Sequence, residues 1–217
     1  MNPHITPENL EEKTRGWLDA IEPYNQHEMR LNPEAAALLL IDCQKYFLDA
    51  GTGGGIEGGI AALPNIMRLL KLFRDAGLPV IYTKHGHHPS GNDAGIIGWW
   101  WGDIIIEGSP EAEIIDELAP RPEDHIIRKH RYSAFYNTDL ETVLRCLGTE
   151  DLVISGVMTN LCCETTARSA FNRDYRVFFP ADANGTATEE MHVASLMNIA
   201  WGFAYVCTTS ELVEALV

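Results

Sequence analysis

The sequence predicts a three-layer, Rossmann-like α/β fold, a six-stranded parallel sheet with helices on both faces. Three observations predict it. Short apolar runs of strand length alternate with helical patterns from residue 35 onward. The runs Leu38-Leu39-Leu40-Ile41 and Leu152-Val153-Ile154 are continuous rather than alternating, as in strands covered on both faces. Proline and glycine punctuate the helical patterns.

The elements follow in order. The first strand is expected over 35–43. A helix follows over 64–76, with Ile66, Leu69, Leu70 and Phe73 at helical spacing, Pro64 near its start and Gly77 past its end. The second strand spans 79–83. A long loop then carries His85, His87, His88 and Trp99-Trp100-Trp101. A short helix over 111–118 leads to the third strand at 125–128. Thr138 caps a helix that runs to Leu147 and closes at Gly148. The fourth strand, 152–155, feeds a helix ending near Arg173. The fifth strand, 176–179, precedes a helix over 188–199, and the sixth, 204–208, precedes a last helix over 210–216. Residues 1–33 fall outside this alternation. They are expected to form an arm and helix, packing on a neighbouring subunit, ahead of one domain over 34–217.

Composition limits the partners. At 217 residues the chain supports one substantial core. A formal charge of −15 argues against nucleic acid, which selects a basic face. No apolar run approaches the ~20 residues of a membrane span. The first residues show no basic and apolar leader, so five cysteines point to free thiols in a reducing cytoplasm. There the sequon Asn184-Gly185-Thr186 would go unused.

The chemistry gathers at strand ends. Ligands of open α/β sheets bind outside the carboxyl ends of the strands. The first strand ends in Asp42, the third in Lys129, and the fourth runs through Gly156-Val157-Met158-Thr159-Asn160-Leu161 to Cys162. These residues supply a base, a cation and a nucleophile. The helix start beside Cys162 favours its thiolate. Cys163 adjoins it but faces the other way. Its i+4, i+7 and i+8 neighbours are Ala167, Ala170 and Phe171, whereas those of Cys162 at i+3, i+4 and i+7 are Thr165, Thr166 and Ser169. Cys163 therefore reads as core and Cys162 as functional.

These segments resemble the isochorismatase-like cysteine hydrolases, which include nicotinamidases, N-carbamoylsarcosine amidohydrolase and ureidoacrylate amidohydrolase. The matching pieces are Leu39-Leu40-Ile41-Asp42-Cys43-Gln44-Lys45-Tyr46-Phe47, then Lys129-His130-Arg131-Tyr132-Ser133-Ala134-Phe135, then Gly156 through Cys162 with Thr165-Thr166-Ala167. The likeness spans roughly residues 34 to 212. It implies a catalytic triad of Asp42, Lys129 and Cys162. It also implies a cis Val157–Met158 bond and an oxyanion hole from the backbone N–H groups of Met158 and Cys162. Phe47, Gln44, His85, Tyr132 and Phe135 are the expected substrate-binding residues.

The implied reaction is hydrolysis of a small amide or ureide through a thioester, without a cofactor. Nicotinamidases hold a metal in this region with an Asp-x-His pair and a further His. Here the pair reads His85-Gly86-His87, so the Asp is missing and no metal is expected. The run Gly53-Gly54-Gly55-Ile56-Glu57-Gly58 fits a dinucleotide fingerprint, but it begins ten residues after Cys43 rather than in the tight first turn, so it reads as a loop. Vinyl ether hydrolysis of the isochorismatase type is an alternative, although that branch has a small residue where Cys162 stands. A non-catalytic thiol protein is another. Trp99, Trp100 and Trp101 mark an expected subunit contact or pocket wall, and a homo-oligomer is expected.

Overall fold

The computed structural model describes residues 5–51 and 55–216. Gly53 and Gly54 of the glycine-rich run lie outside them. The strands are β1 (Ala36–Ile41), β2 (Val80–His85), β3 (His125–Lys129), β4 (Asp151–Val157), β5 (Arg176–Pro180), β6 (Asn184–Gly185) and β7 (Tyr205–Cys207). They pair in parallel in the order β3-β2-β1-β4-β5-β7. The two-residue β6 pairs with β4 beyond the end of β5 and makes a seventh strand.

The central strands explain the two-sided burial. Along β1, Ala37, Leu39 and Ile41 enter one core cluster while Ala36, Leu38 and Leu40 enter the other. The helices are α1 (Leu10–Ile21), α2 (Lys45–Leu48), α3 (Glu57–Asp75), α4 (Ile96–Trp101), α5 (Leu140–Cys146), α6 (Glu164–Phe171), α7 (Glu189–Gly202) and α8 (Thr209–Leu216). Ala62, Ile66, Leu69, Leu70 and Phe73 of α3 share one core with Leu212 of α8, and buried residues of α1, α5, α6 and α7 share the other.

Four elements differ from the sequence expectation. Helix α3 starts at Glu57, so Pro64 sits inside it rather than near its start. Its first turn packs on β6, where a Cβ on Gly58 would lie 2.5 Å from Thr186 O. The helix starts early because glycine lets it press on backbone there. The expected helix over 111–118 is two separate 3₁₀ turns, Pro110–Ala112 and Asp116–Leu118, between which Ile114 and Ile115 are buried. Helix α5 begins at Leu140; the Thr138 hydroxyl donates to Ala134 O and accepts from Leu140 N at 3.3 Å. The tryptophans form a short helix, α4, rather than an open loop.

One face of the N-terminal helix packs on its own chain: Trp17 is buried, and its Nε1 donates to Glu189 Oε1 of α7 at 2.8 Å.

Candidate active site

The sheet delivers three side chains to one place. Register pairs Ile41 with Gly156 and His85 with Lys129, so the neighbouring strands β3, β2, β1 and β4 end on one edge of the sheet. Gly156 permits the approach. Its φ is +127°, and a Cβ there would stand 2.2 Å from Ile41 O. Asp42, the first residue past β1, has φ +49°, a left-handed conformation that costs a non-glycine residue about 1 kcal/mol. Thr83 holds it: its hydroxyl donates to Asp42 Oδ1 at 2.6 Å and accepts from Asp42 N at 3.0 Å.

Lys129 joins the carboxylate to the thiol. Its Nζ lies 2.7 Å from Asp42 Oδ2 and 3.3 Å from Cys162 Sγ, and donates to Arg131 O at 3.0 Å. Asp42 is 0% exposed, Lys129 1% and Cys162 7%. Apart from the ion pair with Lys129, Asp42 Oδ2 completes no hydrogen bond among the described residues.

The electrostatics revise one expectation. Burial pushes the Cys162 thiol up to about 12, Lys129 pulls it down, and Asp42 pushes it up again. Burial thus opposes the thiolate that a helix start favours. Burial works against the Lys129 charge, but the Asp42 carboxylate, with Cys162, outweighs it and raises the ammonium pKa.

The turn that carries Cys162 is short and wide. The Val157–Met158 bond is cis. Thr159–Cys163 forms a single wide helical turn before α6, with Leu161 N and Cys163 N both donating to Met158 O at 3.1 Å. Cys163 is fully buried in the core, and Cys162 alone meets Lys129, as helix geometry indicated.

A match to the isochorismatase domain covers residues 36–211. The chain belongs to the isochorismatase family. It is 40% identical over 196 residues to nicotinamidase 3 of Arabidopsis thaliana, covering 89% of this chain and 94% of that one. It is 34% identical over 195 residues to an isochorismatase of Bacillus subtilis, covering 89% of this chain and 62% of the relative. Among solved structures, a cysteine hydrolase from Pseudomonas syringae pv. phaseolicola superposes with a TM-score of 0.83 at 32% identity, covering 87% of this chain and 95% of that one.

The expected substrate contacts divide. Phe47 and Tyr132 are half-buried, and Tyr132 OH accepts from Trp101 Nε1 at 2.9 Å. His85 is buried, its Nδ1 completes no hydrogen bond among the described residues, and burial beside Lys129 lowers its pKa to about 3, so the ring is neutral. Gln44 is a scaffold instead of a substrate contact. Its Nε2 donates to His85 O and Ala112 O at 2.8 and 2.9 Å, and its Oε1 accepts from His85 N at 2.8 Å. Both amide protons are thus taken. Phe135 is a core residue, packed on Tyr175 and under the Arg173 guanidinium, whose Cζ is 4.8 Å from its ring centre.

Sequence reasoning missed two groups. Thr83 was foreshadowed only by being a hydroxyl at the end of an apolar strand. The other is Asp93. It lies 3.4 Å from His87 Nδ1 and 3.7 Å from His130 Nδ1, and ligand atoms of all three residues fall within 4.8 Å of one another. The carboxylate missing at position 85 is supplied from further along the loop. His87 is buried with neither ring nitrogen hydrogen-bonded among the described residues. Two imidazoles and a carboxylate suit a divalent transition metal such as zinc.

Proposed function

We propose that this protein is an amidohydrolase that cleaves the C–N bond of a small amide or ureide through a thioester on Cys162. One observation carries the reading: a buried thiol within 3.3 Å of an ammonium that is itself 2.7 Å from a buried carboxylate. The relatedness to a nicotinamidase supports it.

The protonation states set the order of events. A thiol at about 12 needs a base, and the buried Asp42 carboxylate, 2.7 Å from the Lys129 ammonium that meets Sγ, supplies it. Asp42 takes the proton as Sγ attacks the substrate carbonyl carbon. The carbonyl oxygen becomes an oxyanion, held by the N–H groups of Met158 and Cys162. Each such donor is worth about 3 kcal/mol in comparable sites. Collapse breaks the C–N bond, and Asp42 returns the proton to the departing nitrogen. Water then loses a proton to Asp42 and attacks the thioester; acid leaves and Cys162 regains its proton. Lys129 stays charged throughout and orients Asp42. Two moderate barriers replace one high one.

A divalent metal, if bound, would sit on His87, Asp93 and His130 and would lend Lewis acidity to that side of the site. None of the three residues belongs to the Asp42–Lys129–Cys162 relay.

Vinyl ether hydrolysis is the second reading, favoured by the Bacillus subtilis relative. The thiol at position 162, where that branch carries a small residue, argues against it. Ammonia release from nicotinamide, carbamoyl amino acids, ureidoacrylate, biuret and maleamate tests the choice. Release from any of them supports amide hydrolysis; inertness toward all, with turnover of isochorismate, overturns it.

Two further parts of the reading concern setting. All five cysteines are free thiols, which suits a reducing cytoplasm. No described helix is long and apolar enough to cross a membrane. The protein is a homo-oligomer whose contact includes α4, where Trp99, Trp100 and Trp101 are 74%, 66% and 52% exposed. So much aromatic surface marks an interface. Light scattering at micromolar concentration that reports a monomer would overturn this.

A further inference from the structure

Behind the nucleophile turn lies a polar contact that the relay above does not use. His192, on α7, is buried, and its Nδ1 shares a 2.9 Å hydrogen bond with Thr159 Oγ1. Thr159 is the first residue of the turn that ends in Cys162 and Cys163, and its neighbour Met158 supplies one expected oxyanion donor. The same helix reaches the turn again through Ser195, whose Oγ is 3.3 Å from Thr159 O and 2.6 Å from Glu164 Oε2.

A second layer fixes His192 itself. The Trp17 ring packs on the imidazole, with centroids 4.4 Å apart and planes tilted by 56°. Glu189, one turn before His192, accepts from Trp17 Nε1 at 2.8 Å and pairs with Lys13 Nζ at 2.6 Å. Both partners lie on α1, outside the matched domain of 36–211.

The choice of residue is informative. A leucine would fill this space without a buried dipole. The imidazole is held neutral, burial pulling its pKa to about 4. Its Nε2 completes no hydrogen bond among the described residues. The ring also faces the Ala181 backbone, which opposes the lowering, and the bond to Thr159, like any neutral hydrogen bond, adds little net stability once desolvation is counted. What it adds is direction, because a hydroxyl bonded to an imidazole fixes the Thr159 rotamer and the turn that begins there.

We propose that His192, backed by Trp17 of the N-terminal helix, is a positioning residue that sets the Cys162 turn for attack. This rests on the reading of Cys162 as the nucleophile. Helix α1 then supports the site from behind rather than serving as an appendage.

The test compares Thr159→Val with Thr159→Ser, and His192→Leu with His192→Asn, on an amide that the wild type hydrolyses. Active-site misplacement of about 1 Å costs on the order of 100-fold in rate. Thr159→Val and His192→Leu should therefore lower kcat by about 10- to 100-fold with KM nearly unchanged. Thr159→Ser, which keeps the hydroxyl, should recover most of kcat. His192→Asn, which keeps a polar atom near Nδ1, should exceed His192→Leu. The double variant Thr159→Val/His192→Leu should be no slower than the slower single, because both remove one bond. Trp17→Ala should lower kcat in the same sense.

Wild-type kcat in Thr159→Val overturns the proposal, as does equal damage from Thr159→Ser and Thr159→Val. So do fully multiplicative losses in the double variant. If His192→Leu does not fold, the Thr159 pair decides alone. Continued hydrolysis by a folded Cys162→Ala would instead overturn the nucleophile assignment, so the two failures are distinguishable.

Discussion

Replacing Lys129 by Met separates what the buried ion pair does for stability from what it does for chemistry. Lys129 and Asp42 are essentially unexposed and 2.7 Å apart. At an effective dielectric of about 20 their attraction is about 6 kcal/mol. Desolvation takes back several kcal/mol per ion, so the pair's net contribution is small. Removing one partner is different, because the other charge stays buried. Lys129→Met and Asp42→Asn should each lose about 3–5 kcal/mol. For a chain of this size that lowers Tm by about 6–20 °C. The double variant leaves no buried charge at this site and should lose less than the sum by about 3 kcal/mol. Urea unfolding followed by tryptophan fluorescence at pH 7.5 measures all four proteins. All three variants should be inactive, so recovered stability would not recover hydrolysis.

The sign with pH follows from the raised Lys129 pKa. Its stabilisation is present below the unfolded value of about 10.4 and is lost as pH rises through the higher folded value. Wild type should lose this contribution in alkali and Lys129→Met should not. Strictly additive losses in the double variant would refute the account of the pair.

Other outcomes are expected as follows. Cys163→Ala should keep most activity while Cys162→Ala loses it, since only Cys162 meets Lys129; the reverse pattern in folded proteins would move the nucleophile. Dialysis against a chelator should leave hydrolysis intact, because the relay touches none of His87, Asp93 or His130; activity lost with a stoichiometric metal by elemental analysis would contradict this. Burial holds the folded pKa of His192 near 4 and, with Lys129, that of His85 near 3, against 6.5 for the free side chain. The unfolded chain then binds more protons below pH 6.5, so stability should fall as pH drops from 6.5 toward 4, by about 3 kcal/mol for His192. Urea midpoints across that range measure the slope, and a flat profile would contradict buried neutral histidines.

The sheet was legible in the sequence because its strands are apolar on both faces, so Leu38–Ile41 and Leu152–Ile154 read as buried whichever side they presented. The ends were legible too: Asp42 and Lys129 are charges at the close of apolar runs, where only pairing tolerates them. What escaped depended on contacts across the chain. Helix α3 runs through Pro64 because Gly58 packs on Thr186, far away in sequence. Gln44 lies inside a recognisable motif, yet its amide ties His85 to Ala112. Asp93 meets His87 and His130 only after β2 and β3 pair. A helix start beside Cys162 is visible in sequence, whereas the burial that raises its thiol pKa is not.

The most direct test of the central claim is partitioning of the acyl group with hydroxylamine during turnover. A thioester on Cys162 would be captured as a hydroxamate, in competition with water, while ammonia release keeps its rate. The account predicts hydroxamate formation by the wild type and neither hydroxamate nor ammonia from a folded Cys162→Ala variant. Ammonia release by that variant at the wild-type rate would contradict it.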